Sequence, residues 1–204
     1  MAIIQRIGFL ASGAGSTFEA VVAACRAGDL SLDPVVIIGN NSEAGVFDRA
    51  QRLGVTALHI SAKTAGDALA ADAAIAAALD NAKVDLVILV GYLKMIGPAV
   101  LAAFEGRIIN THPALLPKFG GPGMYGMNVH RAVLAASETT TGVTVHVVDN
   151  EYDHGPVLAQ ALLLVEPGDT IETLAARVQE REKPFLVETL GRLARGELEL
   201  PEIT

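Results

Sequence analysis

The chain has few of the features that mark secreted, metal-clustered or nucleic-acid-binding proteins. Its 204 residues include one cysteine, Cys25, so an intramolecular disulfide is impossible and a cysteine-based metal cluster is not expected. Basic residues number 15 against 23 acidic ones, and the net charge of −8 argues against nucleic-acid or anionic-membrane partners. Asp85, Lys94 and Gly97-Pro98 interrupt the most apolar stretch, so no run reaches bilayer length. The N-terminus lacks a signal-peptide pattern, and the sequence therefore predicts a cytoplasmic protein.

Aromatic residues are also scarce, at 4% of a chain that is 51% hydrophobic, so Ala, Val, Leu and Ile must build the core. Short Val/Ile runs alternate with Ala-rich segments of helical length, which predicts an α/β, Rossmann-like fold with a mostly parallel central sheet flanked by helices. In the C-terminal half, two β-rich runs on either side of Asp149–Pro156 predict an antiparallel strand pair. The last predicted helix, Ile171–Arg195, contains Pro184, which is expected to kink or divide it. We expect a single domain over residues 1–204.

A glycine-rich turn, Ser12-Gly-Ala-Gly-Ser-Thr17, follows the first predicted strand, Ile3–Leu10, and precedes a helix. Backbone amides at such a helix N-terminus form an anion site. A dinucleotide fingerprint fails because Phe18 stands where the third glycine is required, and because Asn40 stands where an acidic residue would end the second strand. A Walker loop fails for want of a lysine. The turn suits a single phosphate, although a purely structural glycine turn is an equally open interpretation.

A second motif, Arg107–Pro113, ends a predicted strand. Residues two apart in extended chain point to the same side, and Pro113 favours extended geometry at His112. Asn110 and His112 are therefore expected to project together at the carboxyl end of a strand, where open α/β sheets bind ligands. An amide donor beside an imidazole suits acyl transfer. The alternative is a turn-forming Asn beside a packed His, and spacing alone favours that alternative.

A carboxylate partner for His112 would come from the polar link Asp149–Pro156. Asp149, Glu151 and Asp153 are all available there, each is also a plausible solvated turn residue, and the pattern does not choose among them. His146 alternates with valines and is interpreted as a structural, hydrogen-bonded histidine. The other histidines show no metal-ligand spacing, so no metal site is predicted.

Together these segments resemble the folate-dependent formyltransferases, most closely those that act on glycinamide ribonucleotide. The resemblance covers nearly the whole chain. Its most specific part is Asn110-Thr-His-Pro-Ala-Leu-Leu-Pro117 with the downstream Asp153-His-Gly-Pro156. The segments Gly91-Tyr-Leu-Lys-Met-Ile96 and Arg177-Val-Gln-Glu-Arg-Glu182 also fit the family pattern.

The resemblance implies a reaction and a set of roles. The formyl group of 10-formyltetrahydrofolate, a co-substrate, would pass directly to the amine of glycinamide ribonucleotide in purine biosynthesis, without a metal. Residues 1–105 would form a phosphate-binding half and residues 106–204 a catalytic and folate-binding half of a monomer or homodimer. The implied catalytic residues are Asn110, His112 and Asp153; the phosphate ligands are Gly15, Ser16, Thr17 and Gln179; the ribose ligand is Glu182; and the folate-binding residues are Leu93, Lys94, Met95, Ile96, Asp149 and Asn150.

Two departures from the family pattern leave questions open. Ala14 and Thr17 replace asparagines that are common in the family, so phosphate contacts would rely more on backbone and hydroxyl groups. The segment Phe119–Met127 is longer than is typical, and is either a flap over the ligands or a surface insertion. Two rival functions are a formyltetrahydrofolate hydrolase, which uses water as the acceptor, and a non-catalytic nucleotide- or folate-binding module.

Overall fold

The structure is a computed structural model that describes residues 4–201. Ile3, the predicted start of the first strand, lies outside the described residues. The strands are β1 (Arg6–Ala11), β2 (Asp33–Gly39), β3 (Thr56–His59), β4 (Leu86–Leu89), β5 (Ile108–His112), β6 (Thr140–Val147) and β7 (Val157–Leu164). The helices are α1 (Ser16–Ala27), α2 (Val46–Arg52), α3 (Ala62–Ala65), α4 (Ala68–Asn81), α5 (Pro98–Ala103), α6 (Met127–Ala135) and α7 (Ile171–Ala194).

The strands form one seven-stranded sheet in the order β3-β2-β1-β4-β5-β6-β7. Strands β1 to β5 run parallel; at one side β6 pairs antiparallel with β5, and β7 pairs antiparallel with β6. The predicted fold class is therefore confirmed. Chain order reverses between β1 and β4, and ligands of open α/β sheets bind at the carboxyl ends of strands around such a switch point.

Alternating side chains of β1 divide the core between the two faces of the sheet. Ile7 and Phe9 are fully buried in the cluster that includes α1 and α7. Leu10 points the other way, into the cluster that includes α4 and α5. Both faces are covered by helices, as a mostly parallel sheet requires.

Helix α7 is a single helix of 24 residues, so of the two outcomes expected at Pro184, a kink or a division, the division is wrong. Pro184 is exposed, whereas its neighbours Leu186 and Leu190 are fully buried, and this packing holds the helix together across the missing N–H. Thr170 caps the helix, because its hydroxyl accepts from the Thr173 N–H. Within residues 4–201 the structure contains no helix long and apolar enough to cross a bilayer.

Candidate active site

A cavity of about 730 Å³ opens at the carboxyl edge of the sheet. Its walls come from the segments that follow β4, β5 and β6 and from the N-terminal half of α7. That volume is typical of a small-molecule site. Ten of the predicted site residues line it: Leu93, Lys94, Met95, Ile96, Asn110, His112, Asp149, Asp153, Gln179 and Glu182. Asn150 lies outside this lining and is exposed.

His112 and Asp153 form the centre of the site. Nδ1 of His112 lies 3.4 Å from Oδ2 of Asp153, and the two side chains are 3% and 11% exposed. On the other side of the ring, Nε2 lies 2.8 Å from the carbonyl oxygen of Phe119. Both ring nitrogens therefore face oxygen acceptors. Only the doubly protonated imidazolium can donate to both.

Asp153 reaches His112 from a strained backbone conformation. Its φ of 54° lies in the left-handed region, which Asp tolerates better than most residues. Burial alone would raise the pKa of Asp153, but the imidazoles of His112 and His146 and the N–H of Gly121 hold it well below its ordinary range. The Gly121 N–H donates to Oδ2 at 3.0 Å. Asp153 is therefore an anion throughout the neutral pH range.

His146 joins Asn110 to Asp153. Antiparallel pairing sets Asn110 opposite His146, and Nδ2 of Asn110 lies 3.2 Å from Nε2 of His146. The same Nε2 lies 3.6 Å from Oδ1 of Asp153, while Nδ1 lies 3.1 Å from the Val147 carbonyl oxygen. Because that carbonyl can only accept, Nδ1 carries a proton. The charge of His146 therefore determines which end of the Asn110 amide faces it: a neutral ring accepts from the NH₂, and a protonated ring favours the oxygen.

The glycine turn borders the cavity without lining it. Gly15 is the N-cap of α1 with a φ of 75°, and no side chain of the described residues caps this helix. The first helical bond runs from the Glu19 N–H to the Gly15 carbonyl, so the N–H groups before Glu19 remain open at the helix N-terminus. This is the arrangement that binds phosphate.

Glu182 connects the glycine turn to the cavity. Its Oε1 accepts from the hydroxyl of Thr111 at 2.8 Å and from the hydroxyl of Thr17 at 3.3 Å. Burial raises the pKa of Glu182, and the two hydroxyls oppose that rise. The Thr17 hydroxyl therefore donates to Glu182, and the backbone N–H of Thr17 is the group that can bind an anion at the helix N-terminus.

The loop after β4 is tied to the glycine turn through Ser12. The Leu93 N–H donates to Oγ of Ser12 at 2.9 Å, and the Ser12 N–H donates to the Gly91 carbonyl at 3.0 Å. Leu93 and Met95 are 62% and 53% exposed, an unusual state for large apolar side chains beside a cavity. They offer an apolar surface to a ligand.

Sequence reasoning missed several residues of this site. The hydrogen bonds of His146 agree with its interpretation as a structural, hydrogen-bonded histidine, but the register that places it opposite Asn110 cannot be derived from a strand's own sequence. The segment Gly121–Met127, part of the long loop for which a flap over the ligands is one of the two sequence-based interpretations, lines the cavity. His130 on α6 also lines it, and both burial and the positive charge of His112 lower its pKa. Its Nδ1 is buried without a partner among the described residues. Within residues 4–201, no group of His, Cys, Asp and Glu side chains is arranged to hold a metal ion.

The fold and the cavity define a Rossmann-like α/β protein with an amide, an imidazole and a carboxylate at one site. Residues 5–190 match the family model described as formyl transferase, and the chain belongs to that family.

The relatives that this chain resembles include both sequences and solved structures. A Bacillus subtilis phosphoribosylglycinamide formyltransferase is 32% identical over 198 residues, which cover 95% of this chain and 99% of that protein. The chloroplastic enzyme of the same name from Vigna unguiculata is 40% identical over 190 residues, or 93% of this chain, and the match spans only 61% of the plant protein. The crystal structure of glycinamide ribonucleotide transformylase 1 from Symbiobacterium toebii aligns with a TM-score of 0.90 at 36% identity, covering 98% of this chain and 92% of that one.

Proposed function

We propose that this chain transfers the formyl group of 10-formyltetrahydrofolate to the amine of glycinamide ribonucleotide, a step of purine biosynthesis. The observation that carries the proposal is the contact between His112 and Asp153 beside Asn110 in a cavity large enough for small-molecule ligands. Membership of the formyl transferase family and the names of the relatives support the same reaction.

The chemistry is a direct acyl transfer. The amine nitrogen attacks the formyl carbon, and negative charge develops on the formyl oxygen of the tetrahedral intermediate. The Asn110 amide and the His112 imidazolium stabilise that oxyanion. The bond between the carbon and N10 of the folate then breaks, and the proton lost by the amine is delivered to N10. Asp153 keeps His112 charged and assists the proton transfer.

Ligand binding has to change one contact of His112. In the structure Nε2 of His112 is held by the Phe119 carbonyl at 2.8 Å. The ring donates to the formyl oxygen only when that carbonyl gives way, because Nδ1 is directed at Asp153. The segment Phe119–Met127 therefore shifts when the folate enters. On this proposal the long loop acts as a flap over the ligands.

The glycine turn and α7 hold the acceptor substrate. The open N–H groups of Gly15, Ser16 and Thr17 bind its phosphate, helped by Gln179, and the helix dipole offsets the repulsion expected from an acidic chain. Glu182 accepts hydrogen bonds from the ribose hydroxyls. This arrangement directs the glycinamide amine from α1 towards β5.

The folate occupies the opposite part of the cavity. The backbone of Leu93–Ile96 and the link from Asp149 to Asp153 bind the pterin, with Asn150 at the solvent side of that link. Exposed Tyr152 and Tyr125 offer aromatic surfaces to the rest of the cofactor. Both ligands are small molecules, so the proposal requires no nucleic-acid or membrane partner.

The test measures loss of 10-formyltetrahydrofolate with and without glycinamide ribonucleotide. We expect turnover that requires the amine and yields the formylated ribonucleotide. Equal turnover without the amine would instead identify a hydrolase, in which water is the acceptor. No turnover in either condition, with both ligands bound, would identify a non-catalytic binding module.

A further inference from the structure

Two threonines donate hydrogen bonds to the same carboxylate oxygen of Glu182. We infer that Thr111 and Thr17 are positioning residues that orient Glu182 for the vicinal diol of the acceptor substrate; this rests on the proposed binding of that diol by Glu182.

The contacts come from separate parts of the fold. Thr111 lies on β5 between Asn110 and His112, and its hydroxyl donates to Oε1 of Glu182 at 2.8 Å. Thr17 lies in the first turn of α1, and its hydroxyl donates to the same Oε1 at 3.3 Å. One oxygen of the carboxylate therefore takes both protein donors. No hydrogen bond from residues 4–201 reaches the second oxygen, Oε2, which is therefore open to a ligand, since a carboxylate accepts at both of its oxygens.

The bridge also ties the acceptor site to the catalytic strand. Glu182 lines the cavity, Thr111 adjoins both Asn110 and His112, and Thr17 adjoins the open N-terminus of α1. A ligand whose phosphate is bound at α1 and whose diol is bound at Glu182 is thereby held at a fixed position relative to β5. Geometry of this kind matters, because displacement of about 1 Å can cost an acyl-transfer step on the order of a hundredfold in rate.

The two hydroxyls also keep Glu182 charged. Burial raises the pKa of this carboxyl, and the hydrogen bonds from Thr111 and Thr17 lower it. Lys183, its neighbour on α7, also lowers this pKa by its charge, whereas Thr111 on β5 and Thr17 on α1 act through uncharged hydroxyls. Without those hydroxyls the pKa of Glu182 rises further, and a protonated carboxyl is a poorer acceptor for two sugar hydroxyls.

The experiment uses Thr111→Val, Thr17→Val and Glu182→Gln. Valine keeps the β-branched shape of threonine and removes only the hydroxyl. Binding of glycinamide ribonucleotide is measured by calorimetry between about pH 5.5 and pH 8.5, and KM for each substrate and kcat are measured in parallel. Loss of a hydrogen bond to a charged group weakens binding by roughly ten- to 150-fold. We expect each valine variant to weaken ribonucleotide binding by up to that factor, with KM for the folate within about twofold of wild type.

The pH profile separates positioning from a simple loss of packing. In both valine variants the loss of ribonucleotide affinity on acidification should begin at higher pH than in wild type. In Glu182→Gln the part of this acid limb that comes from Glu182 should vanish, which leaves only the limb set by the substrate phosphate, whose second pKa is about 6. Adding Thr111→Val to that variant should weaken ribonucleotide binding little further. Thr56→Val, an exposed threonine on the edge strand β3, is the matched control and should behave as wild type.

The outcomes distinguish the inference from the function it rests on. If Glu182→Gln weakens ribonucleotide binding and both valine variants bind and titrate as wild type, the positioning role is wrong and the proposed function stands. If Glu182→Gln binds the ribonucleotide as tightly as wild type, both the diol assignment and the positioning role are wrong. Absence of formyl transfer by the wild-type chain would overturn the proposed reaction, while calorimetry would still decide the role of the threonines.

Discussion

Replacing Asp153 by Asn removes the negative charge beside His112 and leaves the shape of the side chain nearly unchanged. At 3.4 Å, and with an effective dielectric of about 20, the attraction between the imidazolium and the carboxylate is about 5 kcal/mol. The new amide also favours a neutral ring, because its NH₂ can donate to Nδ1. We therefore expect kcat to fall between about a hundredfold and ten-thousandfold, the range of general acid–base contributions. Asn tolerates the left-handed backbone at this position, so the hairpin should keep its conformation.

The assay compares three variants of the same polar link. Steady-state formyl transfer is measured for Asp153→Asn, Asp149→Asn and Glu151→Gln, together with calorimetric binding of each substrate. Only Asp153→Asn should lose kcat while binding both substrates normally. Asp149 is engaged with His154 at 2.8 Å, so its replacement should act on folate KM. Near-normal kcat in Asp153→Asn, or an equal loss in Glu151→Gln, would refute the assignment of Asp153.

Three further changes test the scaffold and its charges. In Gly15→Ala the new methyl would lie 2.8 Å from Cβ of Val46 at a φ of 75°, so we expect about 1–3 kcal/mol of destabilisation in urea unfolding and weaker ribonucleotide binding. Gly13→Ala is the control, because a methyl there meets nothing within 4 Å. Asp72→Ala removes the acceptor of the Ala99 N–H at the start of α5 and should cost about 1–3 kcal/mol in urea, with unchanged KM values. The pKa of Asp153 is depressed by folding, so its stabilisation is present above its unfolded value of 3.8 and is lost as pH falls below it. Acid unfolding profiles of wild type and Asp153→Asn should therefore converge towards low pH, and a constant difference would contradict this.

Local pattern was enough to predict the sheet and the direction of two side chains. The alternation of Val/Ile runs with Ala-rich segments predicted the parallel sheet. The spacing of Asn110 and His112 predicted that both project to one side at the end of a strand, and both line the cavity. Pro184 shows the limit of such reasoning. Its missing N–H argues for a break, but the burial of Leu186 and Leu190 outweighs that local cost. A short window of sequence carries no information about tertiary packing of this kind.

The residues that the sequence left undecided are those whose role depends on pairing across the fold. Asp153 could not be chosen over its neighbours by spacing, because the choice depends on a hairpin that folds back onto β5. His146 is adjacent to Asn110 only through the register of β5 with β6. Glu182 meets Thr111 across 71 positions and Thr17 across 165. Motifs therefore identify which groups a site contains, whereas long-range contacts determine their protonation and orientation. Thr111→Val changes a residue to which no motif assigns a role, and it should nevertheless weaken ribonucleotide binding and shift the pH dependence of that binding.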